Sequence, residues 1–378
     1  MGTVVERGAG VLAAAGWIRN YRLYDVGYAI DLERAARLMP SAGPVRLAPS
    51  SAQAVALQIP NPPLLVSLGT AELDGWLGGA TAQLSARLYD FGAIAVRARV
   101  APAAERLDWP AFIRFARDVE PALQRSDPLG AALRGLVERI GPAVVRPRVA
   151  PVTEEYTVFH LKGLWSGGGD LAGPAALDDA RLASLLLEED RPLSASARTE
   201  LLPHRLSYHD DDLAVLTWEH ALVLAPGADE ETDIEWVLEF ANAQLLELRY
   251  YDAVLDDALP RMYDDVARAR RGVRALVWPR VGRVLPRLST LHADTTETVE
   301  RVENALRVTD DVYLARVYTA AMEVFRGPVW REGIDRKLDI IRNAYAMLNE
   351  EAQVRRSELL EAMIVVLIVV EIVMALVR

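Results

Sequence analysis

Leu359–Val377 reads LLEAMIVVLIVVEIVMALV, a run that as a helix would extend about 28 Å against a hydrocarbon core of about 30 Å. Its β-branched density would suit a buried strand, but strands run about 4–8 residues and no Gly or Pro punctuates this one. Length selects a helix. Eleven Ile, Leu and Val between Ala362 and Val377, at about −0.4 kcal/mol each, outweigh about +3 kcal/mol for a central carboxylate such as Glu371. The expectation is a C-terminal transmembrane tail anchor over 359–378, with a buried core helix or an oligomer stalk as the alternative. Glu6 and Arg7 cancel and Gly8, Gly10 and Gly16 dilute the apolar start, a poor signal peptide. The bulk of the chain is therefore expected on the cytoplasmic side of a bacterial inner membrane, crossed once, with Arg355 and Arg356 on the positive side. Glu371, an intramembrane polar contact on this reading, either stays protonated and bonds a neighbouring tail helix or marks a functional site.

Upstream, Ile334, Leu338, Ile341, Tyr345, Leu348 and Ala352 alternate at spacings of four and three, a coiled-coil seam that runs without Gly or Pro into the terminal segment. Stem, 332–358, and tail read as one rod and point to a homo-oligomer. Between 227 and 331 the pattern is of long antiparallel helices. Thr232 and Glu235 form a capping box, an apolar face follows from Ile234 to Val266, Pro260 should bend it, and a second helix should return over Leu288–Phe325 before Gly327-Pro328.

From 17 to 226, after a tail of 1–16, short strands alternate with short helices, and the fold class is α+β. Strands are predicted at Trp17–Val26, Val55–Ile59, Leu64–Leu68, Gln83–Tyr89, Ala93–Val100, Tyr156–Leu161, His204–Tyr208, Leu213–Trp218 and Ala221–Leu224. Helices follow Asp31 and Asp108 and occupy Leu177–Leu187. Asp90-Phe91-Gly92 reads as a hairpin turn. Leu88–Val96 echoes Tyr208–Val215, which would fit a duplicated strand-helix-strand-strand-helix unit.

The 378 residues include no cysteine, which excludes disulfides, cysteine-ligated metals and a thiol nucleophile. The net charge is −11, so nucleic-acid contact must be local. Only Lys162 and Lys337 among 42 basic residues are lysine, a bias of GC-rich bacterial coding.

The chain resembles the required-for-meiotic-nuclear-division (Rmd) family of bacteria and mitochondria. The resemblance is carried by Phe240-Ala241-Asn242-Ala243-Gln244-Leu245-Leu246-Glu247-Leu248-Arg249-Tyr250-Tyr251-Asp252, by the Leu338–Leu348 seam, and by Leu360-Glu361 to Glu371-Ile372. It extends from about Ile18 to the end and is specific in the C-terminal third. It implies an α+β domain, then helices and one C-terminal span. The animal mitochondrial member lies in the inner membrane and supports mitochondrial translation; fungal members are linked to sporulation or membrane traffic. Ala362 stands where the family often has Trp and Leu359 where Arg is common, and no mitochondrial presequence is present. Asn242, Gln244, Glu247, Arg249, Tyr250, Tyr251 and Asp252 form the signature helix. They read as a helix docked on the sheet with paired polar groups, or as a ligand-reading surface.

Enzymatic chemistry lacks its parts. Gly167-Gly168-Gly169 fits no phosphate-loop pattern, and no Ser sits in G-x-S-x-G. His204 and His209 lie five apart, on opposite faces of a strand, so no metal is expected. His160 and His292 stand isolated. Asp252, Asp256, Asp257, Asp264 and Asp265 read as a solvated helix face. Between Arg261 and Arg287 eight Arg meet two Asp; Arg268, Arg270, Arg271 and Arg274 could contact phosphate or RNA, anionic lipid, or acidic helices of the same chain. The expected function is a non-enzymatic, membrane-tethered oligomeric scaffold or adaptor without cofactors, its partners the lipid bilayer, further copies of itself and a protein. The alternative is an RNA- or ribosome-contacting factor.

Overall fold

A computed structural model describes residues 12–40, 42–44, 61–73, 80–148, 150–271, 290, 293, 295–297 and 312–376. In chain order the first half carries β1 (Ala13–Asp25), β2 (Gly27–Ile30), α1 (Leu32–Leu38), β3 (Gly43–Pro44), β4 (Leu64–Glu72), β5 (Thr81–Leu88), β6 (Ala93–Val100), β7 (Leu107–Asp108), α2 (Trp109–Ser126) and α3 (Pro128–Ile140). Then come β8 (Val144–Pro147), β9 (Thr153–Trp165), α4 (Asp179–Leu186), α5 (Ala195–Leu201), β10 (His204–Leu206), β11 (Leu213–Leu216) and β12 (His220–Leu224). The long helices are α6 (Asp233–Arg271), α7 (Val312–Val324) and α8 (Gly327–Leu376).

The main sheet has the order β10-β11-β12-β9-β1-β6-β5-β4-β3, with β7 also on β1, and β2 pairs with β8 in a second, two-stranded sheet. The α+β class holds; the duplication does not. The two halves share a strand order about the central β1–β9 pair, yet β6 lies antiparallel to β1 whereas β12 lies parallel to β9. One unit repeated would have repeated the direction.

Side chains alternate across β1. Ile18 joins Trp109, Phe112 and Ala116 of α2 in the core, and Arg22 pairs with Asp127 at the α2–α3 junction. On the opposite face Tyr21 meets Asn242 of α6. Helices thus cover both faces, so β1 and β6 are buried almost throughout, as strands sandwiched on two sides must be. Asp31, Asp108, Asp178 and Ser194 each cap a helix by accepting from the backbone N–H three residues on. The predicted turn at Asp90-Phe91-Gly92 is present: Gly92 has φ +99, and a Cβ there would lie 1.9 Å from the carbonyl oxygen of Gly27. Only glycine fits.

The chain divides into two compact units, Met1–Tyr250 with Arg301–Pro328 and Tyr251–Glu300 with Val329–Arg378. The head therefore takes in the first half of α6, beyond the boundary expected at 226. α6 starts with the predicted capping box: Glu235 Oε2 accepts from the Thr232 N–H at 2.9 Å, and Thr232 Oγ1 from that of Glu235 at 3.4 Å. The helix continues through Pro260. Ile234–Leu248 is buried on all sides, because the sheet covers one side and Tyr318 of α7 reaches Gln244 on another. The chain turns at Phe325-Arg326, next to the expected Gly327-Pro328 break. The predicted strand at Val55–Ile59 and most of the predicted helix over 288–311 lie outside the described residues.

The largest correction concerns the C-terminus. α8 is one helix of 50 residues, but among the described residues no helix is long and apolar enough to cross a membrane. The transmembrane tail anchor and the single-pass location in a bacterial inner membrane are therefore corrected. Glu361 and Glu371 leave only Ala362–Val370 uncharged between them. With that correction Glu371 is an exposed helix residue and not an intramembrane contact.

Candidate functional site

The face of the sheet that carries α6 is polar in ordered ranks. Register places Arg19 opposite Arg99, Arg99 opposite Gln83, and Gln83 opposite Thr70. Two residues along, Tyr21, Arg97, Ser85 and Ser67 form a second rank; Arg87 follows in a third. Partners directly opposite in an antiparallel sheet share a face, so the four arginines point to one side.

α6 brings the countercharges. Glu235 and Glu239 lie one turn apart on one side of α6, and Glu231 joins them from the segment just before the helix begins. Arg19 Nη1 donates to Glu235 Oε1 at 2.8 Å and lies 3.5 Å from Glu231. Arg87 Nη2 donates to Glu231 Oε2 at 3.0 Å, and its Nη1 lies 3.0 Å from Glu239. Arg97 approaches Glu231 at 2.6 Å and Glu239 at 3.2 Å. Tyr89 donates to Glu239 at 2.9 Å, and His160 Nδ1 sits 3.0 Å from Glu235 with its ring stacked on Trp17 at 3.7 Å. Burial opposes ionisation of Glu231 and Glu235, but the arginine charges win and hold both carboxyls below their ordinary value. Burial pushes the Tyr21 and Tyr89 hydroxyls well up, so both remain donors at neutral pH.

Beside this network opens a pocket of about 350 Å³ lined by Arg19, Arg97, Arg99, Ser67, Gly69, Thr70, Gln83, Leu84 and Ser85. Arg19 and Arg97 form its buried floor, while Ser67, Thr70 and Gln83 are exposed at its mouth. Arg99 stacks over Trp17 at 4.0 Å and donates to the Asp229 carbonyl at 3.1 Å. Among the described residues no carboxylate forms an ion pair with it.

A second polar cluster lies on the opposite face. His220 Nε2 is 3.2 Å from Glu120 and its Nδ1 2.8 Å from the Leu186 carbonyl, and Thr157 donates to Glu120. Burial alone would lower the His220 value; its bond to Glu120 more than offsets that and raises it, while Glu120 is lowered by His220 against its own burial.

The signature residues on α6 are tied down. Asn242 donates to Tyr21 and to the Leu238 carbonyl; Gln244 accepts from Tyr318. Glu247 lies 3.6 Å from Arg148, whose guanidinium stacks on Tyr250 at 4.0 Å; Arg249 pairs with Glu154, and Tyr251 is buried. Asp252 and Asp256 hold Lys337 at 2.7 and 2.6 Å, so this part of the acidic face is paired rather than solvated. His204 lies 3.9 Å from Glu323, and His209 packs edge-on to Tyr208. Arg274 and His292 lie outside the described residues, as do the side chains of Arg268, Arg270, Arg271 and Asp265. The proposed phosphate or RNA patch therefore gains no geometry. Arg19, Arg87, Arg97 and Arg99 escaped the sequence reading, although arginines two apart inside an otherwise apolar strand, as at Arg97 and Arg99, were the available signal; His160, expected to stand isolated, instead meets Glu235 and Trp17.

A family model described as the N-terminal domain of the uncharacterized protein MJ0711 matches residues 15–230. The chain belongs to that family. The match includes every residue lining the pocket and stops one residue before Glu231. The uncharacterized protein MJ0711 of Methanocaldococcus jannaschii is 28% identical over 204 residues, 52% of this chain and 59% of the relative, so the chain spans about three-fifths of that protein's length. No solved structure matches. Neither match bears the name of the Rmd family, whose resemblance is specific in residues beyond the matched region.

Proposed function

We propose that the chain is a non-enzymatic oligomeric scaffold or adaptor whose copies join through α8. One observation carries this reading: twelve large apolar side chains from Leu360 to Met374 are each 48–67% exposed. Exposed apolar residues scattered singly are ordinary, but a contiguous run marks a contact surface. From Met363 to Val370 every position is apolar, so all sides of the helix are involved. A second copy of this same segment is the natural cover: the seam residues Ile334, Leu338 and Ile341 upstream are buried within their own chain, which leaves the run beyond them as the apolar surface still to be covered. Covering a half-exposed Val, Ile, Leu or Met contributes about 1 kcal/mol, so the run as a whole supplies an amount comparable with the cost of association, about 4–15 kcal/mol. The non-enzymatic side of the proposal is supported by Glu231, Glu235 and Glu239, carboxylates already committed to arginines.

Sedimentation of the full chain and of a chain lacking Leu359–Arg378 tests the proposal. The full chain should sediment as an oligomer and the truncated one as a smaller species. A full chain that stays monomeric at micromolar concentration, or a truncation that leaves the oligomer intact, overturns it.

A further inference from the structure

We propose that the pocket lined by Arg19, Arg97 and Arg99 binds the phosphate group of a small phosphorylated ligand. The size fits: about 350 Å³ stands at the lower end of the range of about 300–1,000 Å³ for small-molecule sites. So does the charge. Arg19 and Arg99 are directly opposite on neighbouring strands, an arrangement of like charges that destabilises a sheet, with Arg97 on the same face two residues along. Four guanidiniums, counting Arg87, meet three carboxylates, and no carboxylate is among the residues lining the pocket. Arg99 is the cation without a direct ion pair among the described residues: it meets a backbone carbonyl and the face of Trp17, while Glu235, Glu230 and Asp229 act on it only through their charge at longer range.

The chain also makes a local departure that serves the pocket. Ser67 and Thr70 are three apart and would face opposite sides of a regular strand. They instead pair with Ser85 and Gln83, which are two apart, because the register shifts between Ser67 and Gly69. This bulge puts both hydroxyls on the arginine face, and Gly69, at φ +86, adds no side chain to a spot with nothing within 4 Å of a Cβ. Guanidinium forks match the oxygens of a phosphate, and the hydroxyls with the Gln83 amide supply further donors. Burial, followed by the charge of Arg19, holds the Arg99 guanidinium below its ordinary value; a bound dianion would reverse that pressure.

Calorimetric titration of the full chain with pyrophosphate and with inorganic phosphate tests the proposal. Saturable binding is expected, stronger at pH 7.5 than at pH 5 because the second ionisation of a phosphate lies near about pH 6. Arg99→Met, outside the carboxylate network, should weaken it about tenfold or more, and Ser85→Leu should abolish it by filling the pocket, with circular dichroism unchanged in both. Absence of saturable binding by the parent chain overturns the proposal, as does undiminished binding by both variants in their folded state. Citrate binding as tightly as pyrophosphate overturns the phosphate assignment.

Discussion

Glu235→Gln is the sharpest probe of how α6 is held to the sheet. The substitution keeps the shape and removes one charge. Glu235 accepts from Arg19 at 2.8 Å and from the Thr232 N–H at 2.9 Å and lies 3.0 Å from His160, and its side chain is 1% exposed. Breaking a buried ion pair by removing one partner costs about 3–5 kcal/mol. Arg19 keeps Glu231 at 3.5 Å, and a glutamine oxygen can still accept one bond, which together reduce the expected loss to about 2–4 kcal/mol. The pH dependence has a definite sign. The folded Glu235 carboxyl lies below its ordinary value of 4.5, so its stabilisation is complete above that value and disappears as pH falls through the folded value. Urea unfolding followed by tryptophan fluorescence should show the gap between parent and variant at full size at pH 7 and narrowing on acidification below about pH 4.5. A loss under about 1 kcal/mol at pH 7, or a gap that widens in acid, would refute the reasoning that this carboxylate anchors the helix.

On the opposite face, Glu120→Gln should cost about 1–2 kcal/mol. The cost should be largest between the ordinary carboxylate value of 4.5 and the ordinary histidine value of 6.5, where both partners are charged in the fold and both contributions are complete. It should shrink as pH rises through the raised His220 value; urea midpoints that differ as much at pH 9 as at pH 6 would contradict the pairing. Gly92→Ala should destabilise by about 2–4 kcal/mol, since the new methyl must displace the Gly27 carbonyl as well as occupy φ +99. Thermal unfolding reads this directly, and a neutral result would mean that the β5–β6 turn is not built as described.

Features that depend on a few neighbouring residues are legible in the sequence. The capping box at Thr232 and Glu235, the turn at Asp90-Phe91-Gly92, the strands near Leu64, Gln83 and Ala93 and the unbroken helix into the C-terminus all rest on period, cap or turn chemistry. The pocket did not announce itself. Its arginines lie on β1 and β6, some eighty residues apart, and their carboxylates come from α6 and the segment just before it, more than 130 residues further on. Nothing in a window of ten residues joins Arg19 to Arg99 or either of them to Glu231. The duplication failed for a related reason: similar short apolar runs say that strands exist but not which way they will lie beside a neighbour.

By itself the sequence determined the α+β class, the absence of thiol chemistry and those strands and helices marked by period, cap or turn, because these follow from the residue inventory, from side-chain periodicity and from local hydrogen bonding; α3 and α5 were not among them. Tertiary structure decided which charges meet. Register across β1, β6, β5 and β4 gathered guanidiniums and hydroxyls on one face, and the docking of α6 then neutralised all but one of those guanidiniums. Burial makes that pairing obligatory, since a charge removed from water must find its partner inside the fold, and only the folded chain brings the partners within reach.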